Sequence, residues 1–422
     1  MPFSSLGLSP ALIRAVQAKA YVAPTPIQQA AIPPALLGND VLGSAQTGSG
    51  KTAAFALPLL EKLAKTTLFS PRKTLALVLA PTRELAIQIG DEIRSLAQHL
   101  PQAIKVSTVF GGVSINPQMM GLRGGTDVLV ATPGRLLDLI DHNALSLAHV
   151  STLVLDEADR LLDLGFEQEL ERILGLLPAQ RQSLFFSATF PPAVQTLART
   201  MLKDPVRVDV LPDPQAPLEI THSAFAVDNG KRTQLLRHLI TNNDWQRVLV
   251  FVATKHAAEI VADKLRKAGL SAEPFHGVLS QGKRSQVLAD FKASRLKVVV
   301  ATDVASRGID IAQLPVVVNF DLPRSTVDYT HRIGRTGRAG EAGLAVSFVT
   351  ADSDAHFQLI QRRQGLAVAL EQVAGFERME TAQVKPNVED LGHGVGGVKG
   401  KRPSKKDKLR AAAALAAHHK QA

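Results

Sequence analysis

Thr152-Leu153-Val154-Leu155-Asp156-Glu157-Ala158-Asp159 places an apolar run directly before a cluster of acids. A short, continuous apolar run predicts a strand that is covered on both faces. Similar runs occur in both halves of the chain, at residues 74–80, 127–131, 182–187, 247–252, 297–301, 315–319 and 344–349. Helical stretches alternate with these runs. The alternation predicts an α/β protein with mostly parallel sheets flanked by helices.

Several of these runs end in a polar cluster, and the clusters occur in both halves of the chain. They are Pro81-Thr82-Arg83, Thr132-Pro133-Gly134-Arg135, Asp156-Glu157-Ala158-Asp159, Ser187-Ala188-Thr189, Thr254-Lys255 and Thr302-Asp303. Ligands of open α/β sheets bind just beyond the carboxyl ends of the strands. We therefore expect a ligand-binding edge in each of two domains.

The domain boundaries are predicted from proline and charge. Residues 211–218 contain three prolines and read as an extended linker between domains at 1–210 and 219–376. Residues 377–422 form a basic tail that we expect to be disordered. From Lys385 onward, nine basic residues against three acids contribute +6 to the net charge of +10. The tail therefore suggests a polyanion partner, and a merely solvated end fits the composition equally well.

The composition excludes several classes of protein. The chain has no cysteine, so disulfides, thiolate catalysis and cysteine-based zinc sites are excluded. No apolar run approaches the roughly 18 to 20 residues that a membrane span needs. Met1-Pro2-Phe3-Ser4-Ser5 shows neither the basic region nor the apolar core of a signal peptide. We expect a cytoplasmic protein without membrane contact.

Ala45-Gln46-Thr47-Gly48-Ser49-Gly50-Lys51-Thr52 resembles a phosphate-binding loop at the start of a helix. Lys51 would reach the β- and γ-phosphates of ATP, and the Thr52 hydroxyl would hold Mg²⁺. The strict pattern has glycine where this chain has Ala45. A glycine- and serine-rich turn before a helix is the alternative reading.

Asp156 and Glu157 follow Lys51 by about 105 residues, at the end of the strand quoted first. The Asp156 carboxylate would bind Mg²⁺, and Glu157 would orient and deprotonate the attacking water. An acidic cluster at a strand end is more often a helix N-cap when it stands alone. The preceding phosphate loop favours the catalytic reading.

With these elements, residues 3 to about 375 resemble the DEAD-box RNA helicases, in the style of the bacterial RhlE-like members. The resemblance implies two tandem RecA-like domains. Tyr21-Val22-Ala23-Pro24-Thr25-Pro26-Ile27-Gln28 resembles the family's Q motif. There the ring of Tyr21 would stack on adenine, with Phe3 packed nearby, and Gln28 would read the adenine edge with one donor and one acceptor.

The resemblance also assigns the remaining residues of the ATP site. Ser187 and Thr189 would link the acidic motif, including Asp159, to domain movement. His331 would couple to that motif from the second domain. The other second-domain residues are Arg335 and Arg338 as arginine fingers on the γ-phosphate, with Gly308 and Asp310 toward the ribose.

RNA would lie across both domains. The residues implied on the first domain are Pro81, Thr82, Arg83, Gly111, Gly112, Thr132, Pro133, Gly134 and Arg135. Those on the second are Thr254, Gln281, Arg284, Thr302 and Asp303. Hydroxyls, guanidinium groups and exposed backbone amides suit phosphate and sugar. Aromatic platforms are missing from these motifs, so binding without base preference is expected, with the 2′-hydroxyl distinguishing RNA from DNA.

The predicted function is an RNA-dependent ATPase that opens short duplexes without processive movement. An ATP-gated RNA clamp or annealing factor is the first alternative, and a DNA translocase is the second. Gln28 and the form of the acidic motif argue against the translocase. We expect a monomer, with ribosomal particles or RNA-decay proteins as candidate partners.

Overall fold

A computed structural model describes residues 2–45, 48–210, 220–306, 314–337 and 342–381, apart from the side chains of Val304 and Ser306. These residues form two lobes, each built on a parallel sheet with helices on both faces. The predicted fold class, two tandem RecA-like domains, is confirmed. Residues 211–218 of the predicted linker and residues 382–422 of the predicted tail lie outside the described residues.

The first lobe has the strand order β3-β4-β2-β5-β6-β1-β7. Its strands are β1 Val41–Ser44, β2 Ala76–Leu79, β3 Val106–Val109, β4 Val128–Ala131, β5 Thr152–Leu155, β6 Gln182–Ser187 and β7 Val206–Asp209. Its helices are α1 Pro10–Ala18, α2 Pro26–Leu36, α3 Lys51–Ala64, α4 Arg83–Ala97, α5 Asn116–Gly121, α6 Pro133–Asp141, α7 Ala158–Asp163, α8 Glu167–Gly175 and α9 Pro192–Met201.

The second lobe has the order β10-β11-β9-β12-β13-β8-β14. Its strands are β8 Ile220–Ala226, β9 Val248–Val252, β10 Ala272–Phe275, β11 Val298–Thr302, β12 Val316–Asn319, β13 Gly343–Val349 and β14 Leu370–Glu371. Its helices are α10 Arg232–Asn242, α11 Lys255–Lys267, α12 Gln281–Lys292, α13 Asp303–Ser306, α14 Thr326–Ile333 and α15 Asp354–Gln364. Within the described residues, no helix is both long and apolar enough to cross a bilayer.

The central strands are buried on both faces, which explains why their sequences are continuously apolar. In β2, Ala76 and Val78 belong to the hydrophobic core on one side of the sheet. Leu77 and Leu79 belong to the core on the other side. Neither face is left for water, so polar side chains collect at the strand ends.

The second lobe continues past residue 376, where the sequence predicted the tail to begin. The backbone N–H groups of Met379 and Glu380 both donate to Asp228 Oδ1, each at 2.8 Å. Arg378 forms an ion pair with Asp354 at the start of α15. The first residues assigned to the tail are therefore tied to the second lobe.

Asp40, just before β1, holds three parts of the first lobe together. Its side chain is buried, and it accepts the backbone N–H of Ser183 in β6 at 2.7 Å and that of Lys203 before β7 at 2.8 Å. Hydrogen bonds to a charged acceptor are stronger than neutral ones. One carboxylate thus fixes the approach of β1, β6 and β7.

We predict that Asp40→Ala lowers the free energy of unfolding of the first lobe by about 3 kcal/mol, because two buried donors lose their acceptor. Urea unfolding followed by circular dichroism measures this change. Glu171→Ala, at an exposed position on α8, is the control and should change little. Equal effects of the two substitutions would contradict the role given to Asp40.

Candidate nucleotide site and interlobe cleft

The phosphate-loop residues surround the first turn of α3. Gly48 and Gly50 have φ values of 80° and 92°, in the left-handed region that favours glycine. Lys51 is buried, and its Nζ donates to the carbonyl oxygen of Ala45 at 2.8 Å. The Ser49 hydroxyl is buried and has no hydrogen-bond partner among the described residues. Gln46 and Thr47 lie outside the described residues.

Gln28 joins the Q motif to this loop. Its side chain is buried, with Oε1 accepting the Thr25 N–H at 3.0 Å and Nε2 donating to the Gly50 carbonyl oxygen at 3.1 Å. A Cβ at position 50 would overlap Gln28 Nε2, and the positive φ of this position favours glycine. Beside it, the rings of Phe3 and Tyr21 stack with centroids 6.4 Å apart.

The acidic motif follows β5, as predicted, and its three carboxylates are buried. Burial raises the pKa of Asp156 to about 6, and the nearby Lys51 ammonium partly opposes the shift. Asp156 Oδ1 accepts the Glu157 N–H at 2.9 Å. Glu157 has a φ of 50°, an uncommon conformation for a residue with a side chain. The turn after β5 therefore holds Glu157 in a constrained backbone conformation.

Ser187 and Thr189, at the end of β6, contact the last acid of the motif. Thr189 donates to Asp159 Oδ2 through its backbone N–H at 3.0 Å and through its hydroxyl at 2.7 Å. The Asp159 N–H donates to Ser187 Oγ at 3.2 Å, and that hydroxyl donates to the Thr189 carbonyl oxygen at 2.8 Å. Three of these four hydrogen bonds join the ends of β5 and β6, and the fourth lies within the segment after β6.

The second lobe reaches this region through α14. Arg160, next to Asp159, is buried and pairs across the cleft with Asp328 at 3.3 Å. A small cavity at this contact is lined by residues of both lobes: Arg160, Phe251, Asp303, Asp328, His331, Arg332 and Arg335. The predicted residues His331 and Arg335 therefore lie beside the residue that follows the acidic motif. Arg338, Gly308 and Asp310 fall outside the described residues.

Arg332 is a functional candidate that the sequence reasoning did not single out. Its guanidinium makes a two-pronged ion pair with Asp303 at 2.6 and 2.7 Å and donates to Asn319 Oδ1 at 3.0 Å. It also lies over the Phe251 ring, 4.9 Å from the centroid. It thus ties α14 to the ends of β9, β11 and β12. The feature of the sequence that could have indicated this cluster is Asn319, a polar residue at the end of an apolar strand.

Among the predicted RNA residues of the first lobe, hydroxyls also serve the fold. Thr82 Oγ1 accepts the Leu85 N–H and caps α4. Thr132 Oγ1 accepts the Gly111 N–H at 3.2 Å. Gly112 packs against the Arg83 guanidinium so closely that a Cβ would overlap it. Pro133 and Gly134 begin α6. These residues lie together at the carboxyl edge of the sheet, as predicted from the strand ends.

Two predicted RNA-binding arginines are turned inward. Arg135 donates to the Val113 carbonyl oxygen at 2.7 Å. Arg284 is buried and pairs with Glu84 of the first lobe at 2.8 Å. The Arg284 guanidinium therefore bridges the lobes in this structure, because a buried charge pairs with the nearest opposite charge. Its direct RNA contact stays a prediction.

The remaining predicted residues of the second lobe lie at helix starts. Thr254 Oγ1 accepts the Ala257 N–H at 3.1 Å and caps α11. Gln281 is the first residue of α12, and Thr302 and Asp303 mark the passage from β11 to α13. Helix α12 also carries Arg284, which pairs with Glu84 of the first lobe, so the start of α12 lies at the cleft.

Comparisons with known proteins agree with this geometry. The family model described as DEAD/DEAH box helicase matches residues 25–197, and the helicase conserved C-terminal domain matches residues 230–340. The chain is 40% identical over 360 residues to the DEAD-box ATP-dependent RNA helicase CshA of Bacillus cereus, covering 85% of this chain and 67% of that one. It is 42% identical over 349 residues to the ATP-dependent rRNA helicase rrp3 of Emericella nidulans, covering 82% and 74%. The chain belongs to the DEAD-box helicase family.

Solved structures show the same architecture. Saccharomyces cerevisiae Dbp5 bound to RNA and ADP BeF3 superposes with a TM-score of 0.74 at 30% identity, covering 88% of this chain and 95% of that chain. Mss116p bound to ssRNA and AMP-PNP superposes with a TM-score of 0.78 at 29% identity, covering 87% and 78%. Both similarities extend over the two lobes.

We predict that Thr189→Val destabilises the first lobe by about 1 kcal/mol, because Asp159 loses a hydroxyl donor and keeps only backbone donors. Thr196→Val on α9 is the matched control, since that hydroxyl donates to the Pro192 carbonyl oxygen at an exposed site. Urea unfolding of both variants measures the difference. A Thr196→Val effect as large as that of Thr189→Val would argue against the contact with Asp159.

Proposed function

We propose that this chain is an ATP-dependent RNA helicase in which RNA binding closes the two lobes and thereby completes the ATP site. The observation that carries the proposal is the contact of α14 with the residue that follows the acidic motif, through Asp328 and Arg160 at 3.3 Å. Arg335 lines the same cavity. Hydrolysis would therefore depend on closure. The joint use of RNA and ATP agrees with the similar proteins, one named an ATP-dependent RNA helicase and another solved bound to RNA and ADP BeF3.

In this proposal the first lobe holds ATP, with the Tyr21 ring stacked on the adenine, and cleaves it. Lys51 would release Ala45 and bind the β- and γ-phosphates, and the free Ser49 hydroxyl would serve the phosphates as well. Glu157 would orient and deprotonate the attacking water. Arg335, with Arg338, would stabilise the charge that develops on the phosphate oxygens, an effect of about 10³- to 10⁵-fold in rate for arginine fingers.

The Asp156 carboxylate suits Mg²⁺, because carboxylate oxygens are ligands that Mg²⁺ takes and this one is buried beside the carboxylates of Glu157 and Asp159. The described residues contain no group of three or more His, Asp or Glu side chains able to hold a metal by themselves. Asp156 and Thr52 would therefore hold Mg²⁺ together with the nucleotide phosphates. When bound, Mg²⁺ supplies charge neutralisation to the phosphate oxygens.

Coupling to RNA would run through the strand ends. Thr82, Thr132 and Thr254 would contact the RNA backbone with the glycines beside them, and Gln281 and Asp303 would do so from the second lobe. His331, Ser187 and Thr189 would transmit closure to Asp159. Gly308 and Asp310 would contact the ribose. We further propose a cytoplasmic monomer that acts on ribosomal particles or with RNA-decay proteins.

We predict that the chain separates a short RNA duplex in an ATP-dependent manner and that RNA stimulates its ATPase. Glu157→Gln, which keeps the shape and removes the base, should lower kcat by about 10²- to 10⁴-fold while ATP and RNA still bind. Gel-resolved duplex release and a coupled ATPase assay measure both. Stimulated hydrolysis without duplex release would favour the clamp or annealing reading. Near-normal kcat in Glu157→Gln would refute the base assignment.

We also predict that Mg²⁺ binding weakens as the pH falls through about 6, because burial raises the Asp156 pKa to that value and the metal requires the carboxylate. Above about pH 7 the carboxyl is ionised and affinity should be flat. Calorimetry of Mg²⁺–ADP binding in buffers of different ionisation enthalpy detects the released proton. Asp156→Asn should abolish that release, and an unchanged release would assign the proton to another group.

A further inference from the structure

The turn between α1 and α2 carries the ring that the proposed function places against adenine. The chain reverses at Lys19-Ala20-Tyr21, where Ala20 has a φ of 57°. A left-handed alanine is strained relative to glycine, so surrounding contacts must hold the turn in place. Val22, the next residue, is 96% exposed, so the turn has little cover on that side.

Glu92 on α4 contacts both sides of this strained turn. Its Oε1 accepts the Tyr21 hydroxyl at 2.8 Å, and its Oε2 pairs with Lys19 Nζ at 2.7 Å. The Glu92 side chain is 17% exposed and that of Lys19 is 29% exposed. A hydrogen bond from a hydroxyl to a carboxylate is stronger than one between neutral groups, and partial burial limits competition from water.

The helix that carries Glu92 is firmly seated. Ile89, about one turn before Glu92, and Ile93, the residue after it, are fully buried in the first-lobe core. The same helix begins at the Thr82 cap and Arg83, within the predicted RNA track. The backbone of the turn is closed by hydrogen bonds from the Ala20 and Tyr21 N–H groups to the end of α1, so Glu92 is a fixed reference point for its side chains.

We propose that Glu92 is a positioning residue for ATP, which fixes the Tyr21 ring in the orientation that stacks on adenine. The proposal rests on the adenine role that the proposed function gives to Tyr21. Glu92 acts through the Tyr21 hydroxyl, while Lys19 holds the other carboxylate oxygen and keeps the group oriented. The Phe3 ring stacks on one face of the Tyr21 ring, with 6.4 Å between the centroids. The hydrogen bond from the Tyr21 hydroxyl to Glu92 then fixes the tilt of the Tyr21 ring.

The physical effect falls on adenine binding and leaves the chemical step unchanged. A ring that is held before ATP arrives loses little rotational freedom on binding, whereas a free ring must be ordered at the expense of affinity. Lys51 and Glu157, which act on the phosphates, lie on other elements of the fold and keep their geometry. Loss of Glu92 should therefore raise KM for ATP with kcat nearly unchanged.

The test uses the full chain and six variants, of which four are compared first. Glu92→Ala and Tyr21→Phe each remove the contact and should raise KM for ATP about fivefold to tenfold, the range of one hydrogen bond to a charged group after solvent competition. Glu92→Gln keeps an acceptor for the hydroxyl and should recover most of the affinity. Asp91→Ala, one residue away and paired with Arg94 on the same helix, is the matched control and should leave KM unchanged.

The double variant Tyr21→Phe/Glu92→Ala separates positioning from general stability. If Glu92 acts through the hydroxyl, the double variant should match Glu92→Ala alone, because the same contact is already lost. Additive increases in KM, or a fall in kcat at unchanged KM, would overturn the proposal. Calorimetric affinities for ADP and GDP provide a second readout: Glu92→Ala should reduce the preference for ADP, and an equal loss for both nucleotides would contradict it.

Tyr21→Ala distinguishes failure of this inference from failure of the proposed adenine site. If Tyr21→Ala leaves the preference for ADP over GDP unchanged, Tyr21 is not the adenine platform, and the inference falls with that assignment. If Tyr21→Ala reduces the preference and Glu92→Ala does not, the platform stands and Glu92 does not position it.

Discussion

The buried carboxylate of Asp159 is the interaction on which the rest of the site depends. It lies between the ends of two neighbouring strands and receives both donors of Thr189. Removing a charge from water is unfavourable unless several donors surround it. Those donors fix the turn that also places Glu157 and aims Arg160 at Asp328 in the other lobe. One internal charge thus links the hydrolytic residues to the position of the second lobe.

A parallel sheet covered on both faces confines polar side chains to its edges, and in both lobes the carboxyl edge carries them. Some of these side chains also serve the fold. Thr82 and Thr254 cap helices, and the proposed function places them against RNA as well. The helix-cap reading and the ligand reading of such residues are therefore compatible. Helix α4 likewise serves two sites. It begins at the predicted RNA-binding surface, and its Glu92 contacts the ring of the predicted adenine site.

The sequence was sufficient for the central strands and for the order of the motifs, because continuous apolar runs and short polar clusters are local signals. It was less informative at sheet edges, where β3 and β10 are partly polar and lack such runs. The partners of Arg332, Arg284 and Glu92 could not be predicted, since each pairs with residues far along the chain. Arg284 is an example, because this residue, predicted to contact RNA, pairs with Glu84 inside the cleft.

That buried pair between α4 and α12 also bears on how readily the lobes part. Opening would return both charges to water, and the hydration they recover roughly offsets the attraction they lose. The pair therefore favours one alignment of the lobes without holding them shut. Two arrangements of similar free energy can be redistributed by ligands that bind one of them more tightly. This pair would therefore add little to the binding energy that a ligand needs to change the alignment of the lobes.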